Sequence, residues 1–218
     1  MAKYIKGTLD PKIKSDPGSG KWCSDKQEAK YLVYKRAIEA ALELRMGKTL
    51  AGEDADKHLQ HFFNNTGNDL YINLRNMIDR VPSLKLFYEQ ELAEAKAFAS
   101  KLSTGSHWIT SSRLRSGYAK KTENSNWYYA VGGYAYWGKA KVNVINASTH
   151  KTVTINFEFK LFDRYNWDNG KKVTIDGQIV TDDFMQNFHR QCYAREFNVK
   201  GSYSKKYTFK INKGSITP

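Results

Sequence analysis

The chain has 218 residues, 40% of them hydrophobic, which is enough for one substantial domain or a compact domain with an attached helical unit. Thirty-five Lys and Arg against 22 Asp and Glu leave a formal charge of +13, and with 4 Pro and 15 Gly this excludes collagenous and acidic disordered chains. No apolar run approaches the ~18 residues of a membrane-crossing helix. The start, MAKYIKGTLDPKIKSD, carries charges where a signal peptide would be apolar, so the expectation is that this chain has none.

Residues 1–22, rich in Lys, Gly, Asp and Pro, read as a flexible tail or connector. Ser24 with Gln27 forms a capping box, and Tyr31, Tyr34, Ile38, Ala41 and Leu42 continue on one helical face until Gly47 stops it. Further helices are expected over Glu53–Phe63 and Asp69–Arg80, the second stopped by Pro82. A longer one over Ser83–Leu102 has Tyr88, Leu92, Ala95, Ala99 and Leu102 as its buried stripe.

After Gly105 the texture changes to short aromatic and β-branched stretches, giving expected strands at His107–Thr110, Asn126–Val131, Lys139–Asn146 and Thr152–Phe162, with a hairpin around Ser148–Lys151. In the last of these, Val153, Ile155, Phe157, Phe159 and Leu161 alternate onto one face. A short strand at Val173–Ile175, a helix from a Thr181 cap to about Ala194, and a strand over Tyr203–Ile211 complete the reading. The fold class is α+β: a helical portion, 23–104, followed by a mostly antiparallel β-rich portion with one later helix, 105–218, packed together as one unit. The first 104 residues carry a net +3 and the rest +10, with 20 of the 30 aromatic residues in the second part, so an anionic ligand meets that part first.

The two cysteines, Cys23 and Cys192, form no zinc cluster, and their spacing does not establish a bridge; two separate small buried thiols are the favoured reading. His58, His61, Asp54 and Asp56 read as polar residues of an amphipathic helix rather than a metal site, since no third ligand follows. No GxSxG elbow orients a serine towards His189, and no oxyanion signature accompanies Cys192. The Gly132-Gly133 pair lies among Trp127, Tyr128, Tyr129, Tyr134, Tyr136 and Trp137, which either pack as an aromatic hairpin or line a ligand site; Trp127, Tyr129, Tyr134 and Trp137 are the candidate substrate contacts.

The most chemical-looking stretch runs from FDRYNWDNGKK to HRQCYAREF. Asp163 and Asp168 can hold a divalent cation or divide acid and base roles, and His189 can move a proton near neutral pH. Arg190 offers a planar fork to phosphate, and Lys171, Arg195 and Glu196 complete the candidate substrate contacts. The competing reading is a capped helix with a solvated charge pattern.

The segments WYYAVGGYAYWGKA, DRYNWDNGKK and FHRQCYAREFNVKG resemble the C-terminal toxin domains of polymorphic antibacterial effectors delivered by bacterial competition systems. Asp163, Tyr165, Asp168, His189 and Arg190 further resemble the Asp-x-Tyr-Asp and later His-Arg elements of colicin M-like bacteriocins, which hydrolyse the lipid-linked peptidoglycan precursor. Asn166 stands where that family places its second aspartate, Asp168 lies farther on, and the His-Arg pair is more distant. The resemblance implies lipid II as substrate, Mg²⁺ as cofactor, contact with the bacterial envelope, a cognate immunity protein, and delivery into a target bacterium by a specialised route. Two other functions fit the basic, aromatic surface: permeabilising an anionic membrane, and binding or cleaving nucleic acid.

Overall fold

The alternation from Val153 to Leu161 makes one strand face apolar and the other polar, and the sheet is built around it. The computed structural model describes residues 3–43, 52–167, 170, 172–175 and 178–212. In chain order its elements are β1 (Tyr4–Lys6), α1 (Ala29–Glu43), α2 (Glu53–Phe63), β2 (Leu70–Ile72), α3 (Leu74–Arg80), α4 (Pro82–Ala99), β3 (Gly105–Ser111), β4 (Arg115–Tyr118), α5 (Ser125–Ala130), β5 (Gly133–Asn146), β6 (His150–Tyr165), β7 (Lys172–Ile175), β8 (Gln178–Thr181), α6 (Asp182–Arg190) and β9 (Phe197–Asn212).

The main sheet has the order β1-β3-β5-β6-β9-β2, with β4 pairing to β5 beyond the end of β3, and β7 and β8 form a separate hairpin. All pairs are antiparallel except β2 with β9. Helix α4 packs across β5 and β6, and its Tyr88, Leu92, Ala95 and Ala99 are buried, as their helical spacing predicts. On β6 the alternating set from Val153 to Leu161 is buried too, facing that helix side. Each such side chain, fully buried, stabilises the fold by about 1.5–3 kcal/mol. The architecture is the α+β arrangement the sequence indicates.

Several elements differ from the expectation. Residues 126–131 lie mostly in helix α5, not a strand, because the Asn124 side chain accepts a hydrogen bond from the Trp127 amide at 3.0 Å and caps the turn. The helix expected from Asp69 begins as strand β2, since Asn73 caps α3 only from there. Helix α1 starts at Ala29, not at Ser24, whose hydroxyl binds Asp25 instead. Helix α6 is capped by Thr181 as expected but stops at Arg190, before a left-handed residue at Cys192. The stop expected at Gly47 lies outside the described residues.

The segment read as a tail is built into the fold. Tyr4 is buried and donates to the Glu91 carboxylate of α4 at 2.8 Å, while β1 pairs with β3. Glu91, with a side chain 0% exposed, also accepts from Ser111 Oγ at 2.8 Å and pairs with Arg115 Nε at 2.9 Å. Burial and that negative charge push the Tyr4 phenol pKa up, so it stays a donor. From Tyr4 the chain crosses the outer face of the sheet, where Asp10 pairs with Lys139 of β5 and Lys160 of β6.

Candidate functional site

Between this crossing segment and the β4, β5 and β6 strands lies a cleft of about 840 Å³. Pro11 to Pro17 form one wall, and Arg113, Leu114, Gly117, Tyr134, Phe162, Asp163 and Arg164 are among the residues of the other. Two prolines keep the wall extended, and Gly117 lets Tyr134 approach the β4 backbone, since a Cβ there would meet its ring at 2.3 Å. Four cations, Lys12, Lys14, Arg113 and Arg164, line the cleft together with Asp16 and Asp163; in the alternation of β6, Phe162 and Arg164 share the face turned to the crossing segment, and Asp163 takes the face of Leu161 and Tyr165. The cleft therefore suits an anion with an apolar part, the latter meeting Ile13, Leu114 and Phe162. Arg164 Nε is shielded from solvent and makes no hydrogen bond among the described residues.

Asp163 and Tyr134 are the residues singled out in the sequence that are also among the cleft lining, both at core-side positions of the sheet, with the Tyr134 side chain buried. Tyr165, next on the same face of β6 as Asp163, is buried and stacks on Phe197 at 4.9 Å. Burial first, and the Asp163 and Asp56 carboxylates second, raise its pKa, so it is a neutral packing residue. Asp168 and Lys171 lie outside the described residues.

His189, Arg190 and Glu196 form a second cluster under residues 16–25. The Glu196 carboxylate, with a side chain 0% exposed, accepts from the Ser19 amide at 3.0 Å, from Ser19 Oγ, and from the Trp167 amide at 3.2 Å, with Arg164 at 3.7 Å. His189, 2% exposed, accepts the Glu196 amide at Nδ1 (3.1 Å), which leaves Nε2 as donor to the Gly20 carbonyl at 3.3 Å. Burial pulls its pKa below the usual histidine value against the opposing pull of Glu196. Arg190 Nε donates to the Ser19 carbonyl at 3.1 Å and its fork also meets Gln186. Arg195 stacks on Trp22 at 4.4 Å and donates to the Thr66 carbonyl at 3.3 Å. Arg164 links the two regions, lining the cleft and reaching Glu196.

The cysteines correct the sequence reading: Cys23 and Cys192 form a disulfide. The Cys23 amide donates to the His189 carbonyl at 3.3 Å, and α6 ends in a left-handed turn, so the two Cα atoms come within 4.7 Å.

No protein-family profile matches the chain, and no curated protein matches it. Among solved structures it is similar to the bacteriocin syringacin M from Pseudomonas syringae pv. tomato DC3000, with a TM-score of 0.38 and 14% identity over 76% of this chain and 55% of that one. It is also similar to pectocin M2, with a TM-score of 0.33 and 11% identity over 85% of this chain and 64% of the other. PaeM, a colicin M-like bacteriocin produced by Pseudomonas aeruginosa, gives a TM-score of 0.39 and 8% identity over 74% and 52%. The chain spans about half the length of syringacin M.

The aromatic candidates divide between packing and the cleft. Trp127, on α5, is 0% exposed and belongs to the core, as does the buried side of Tyr134. Trp137 is buried on the outer sheet face under Lys160, 5.4 Å from its ring, and Tyr129 packs edge-on to Tyr128 at 4.9 Å. The cleft's cations were not legible as a set, because Lys12 and Lys14 lie in a polar stretch that nothing in the sequence ties to β6. The one signal available was Arg164, next to Asp163 in the DRY triplet. Among the described residues no three His, Cys, Asp or Glu side chains converge on a metal position.

Proposed function

We propose that the chain is an antibacterial toxin that acts on the cell envelope, hydrolysing a lipid-linked peptidoglycan precursor at the cleft beside Asp163. The observation that carries the reading is the lining: four cations and two carboxylates together with an apolar strip, the chemistry of a diphosphate joined to a lipid. The sequence resemblance to colicin M-like bacteriocins includes the same residue, Asp163, with Tyr165, Asp168, His189 and Arg190.

In this reading Lys12, Lys14, Arg113 and Arg164 hold the diphosphate and stabilise charge that develops on its oxygens. Ile13, Leu114 and Phe162 take the first part of the carrier. Attack of water on phosphorus breaks the phosphorus–oxygen bond and separates the carrier from the phosphorylated headgroup, and the role taken for Asp163 from the bacteriocin resemblance is to orient that water. His189 has both ring nitrogens engaged by the protein, so its part, with Arg190 and Glu196, is to hold the cleft wall in place through Ser19 and Gly20. Mg²⁺ is held in such sites through one or two carboxylates and the substrate's phosphates. By the bacteriocin resemblance Asp163 would be one such carboxylate and Asp168, outside the described residues, the other; the ion would neutralise phosphate charge.

The partners in this reading are the bacterial envelope, met peripherally, and a cognate immunity protein; no helix among the described residues is long and apolar enough to cross a membrane. The test incubates the pure protein separately with labelled lipid II, with dye-loaded liposomes lacking the precursor, and with nucleic acid, each with and without EDTA. Release of phosphorylated headgroup from lipid II alone, stopped by EDTA, is the expected result. Dye release or nucleotide products without headgroup release would transfer the function to the membrane or to nucleic acid.

A further inference from the structure

The wall of the cleft that carries Lys12 and Lys14 belongs to a segment with little apolar anchorage: Leu9 is exposed, and between Gly7 and Gln27 Ser19 is the one buried residue. Its attachments are polar, the ion pairs of Asp10 with Lys139 and Lys160 near its start and hydrogen bonds to Glu196, His189, Arg190 and Asn65 at its far end, with the Trp22 ring against Arg195, and one is covalent, Cys23–Cys192. Individual hydrogen bonds that water can replace offset little of the entropy lost in ordering such a stretch, whereas a bond that joins residues 169 apart removes most of the unlatched arrangements. Both bridged cysteines have left-handed backbones, with φ of 58° at Cys23 and 66° at Cys192, a conformation that costs an L-residue energy and persists only where something holds it. The other end of the segment is secured independently, by Tyr4 on Glu91 and by the pairing of β1 with β3. Cutting the bridge therefore leaves residues 11–28, beyond the Asp10 ion pairs, held by hydrogen bonds and the Trp22 stacking alone, without removing an element from the sheet.

We propose that the Cys23–Cys192 bridge is a redox latch on the cleft: a dithiol reductant releases residues 11–28 from the outer sheet face and dismantles the cleft wall while the sheet stays folded. In the exchange a thiolate of the reductant attacks one cysteine sulfur, and its second thiol resolves the mixed disulfide. Cys23 and Cys192 end as thiols and the reductant as a disulfide. Both cysteines are partly exposed, so a small dithiol reaches them. In an oxidising compartment the wall stands, and in a reducing one it opens. The consequence for ligand binding, loss of Lys12 and Lys14 from the cleft, rests on the diphosphate reading above.

The test is hydrogen exchange on the full chain, disulfide-intact, reduced with dithiothreitol, and as the Cys23→Ser/Cys192→Ser double variant, read beside calorimetric binding of inorganic pyrophosphate. Exchange across residues 11–28 rises by about tenfold or more in the reduced and double-variant forms while β5 and β6 keep their protection. Pyrophosphate binding falls by about threefold to tenfold, the share of two exposed lysines. Equal exchange of the segment in all three forms, or loss of protection throughout the chain on reduction, would overturn the latch. A segment that opens on reduction in a protein whose oxidised form binds no pyrophosphate upholds the latch and removes the diphosphate reading instead.

Discussion

Glu91 and Glu196 both have fully buried carboxylates, and both reach back to the N-terminal segment, but they secure it against different parts of the molecule. Glu91 sits on α4 in the core, with Arg115 at 2.9 Å and the hydroxyls of Tyr4 and Ser111 on its oxygens. Glu196 sits at the start of β9 beside the cleft; its contacts are mostly to the Ser19 and Trp167 amides, and its cation, Arg164, is farther away at 3.7 Å. A buried charge with a close counter-ion is part of the global fold, because removing the partner strands it. One held by amides of a polar segment can let go locally. The N-terminal segment is thus fixed at Tyr4 and conditionally fixed at Ser19.

The largest effect should come from Arg115→Met, which leaves Glu91 buried without its cation and should cost about 3–5 kcal/mol in chemical denaturation. A cost below that of an ordinary surface change would put Glu91 and Glu196 in the same class. Next is a pH effect at α2, where buried His58, packed against Tyr165 and Phe197, donates from Nδ1 to the Asp54 carbonyl at 2.6 Å and desolvation lowers its pKa from 6.5 to about 4. Below pH 6.5 the unfolded chain takes up a proton that folded His58 does not, so stability present above that pH is lost as pH falls towards 4, by up to about 3 kcal/mol. Denaturation curves across this window should flatten in His58→Gln; an unchanged slope would remove His58 from the account. Glu196→Gln should cost about 1–3 kcal/mol and act locally. Hydrogen exchange should rise at Ser19 and Trp167 with the β5 and β6 amides unaffected, and a global loss would erase the distinction from Glu91.

The two regions also differ in how much of them could be read from the chain. The Glu91 side of the molecule follows from periodicity: the stripe from Tyr88 to Ala99 and the alternation from Val153 to Leu161 are apolar patterns that one helix and one strand suffice to interpret. The cleft side is made by contacts between residues about 170 apart, Ser19 with Glu196, Gly20 with His189 and Cys23 with Cys192, through polar groups that carry no periodic signal. Asp163 and Tyr134 stand out in the sequence because their neighbours are aromatic and charged; Lys12 and Lys14, which line the same cleft, do not, because the segment looks like a connector until its far end is tied down. The aromatic run at 127–129 was misread as a strand from β-propensity when Asn124, a capping residue, stood before it.

The smallest effect on stability and the most direct test of the central claim fall on the same residue. Asp163→Asn keeps the side chain's shape on β6 and should change stability by no more than about 0.5 kcal/mol. With purified lipid II and a magnesium titration, the parent should release phosphorylated headgroup and the folded variant should be slower by about a hundredfold. A folded Asp163→Asn protein that cleaves at the parent rate at every magnesium concentration would contradict the assignment of the cleft, and a parent that releases no headgroup would contradict the proposed function.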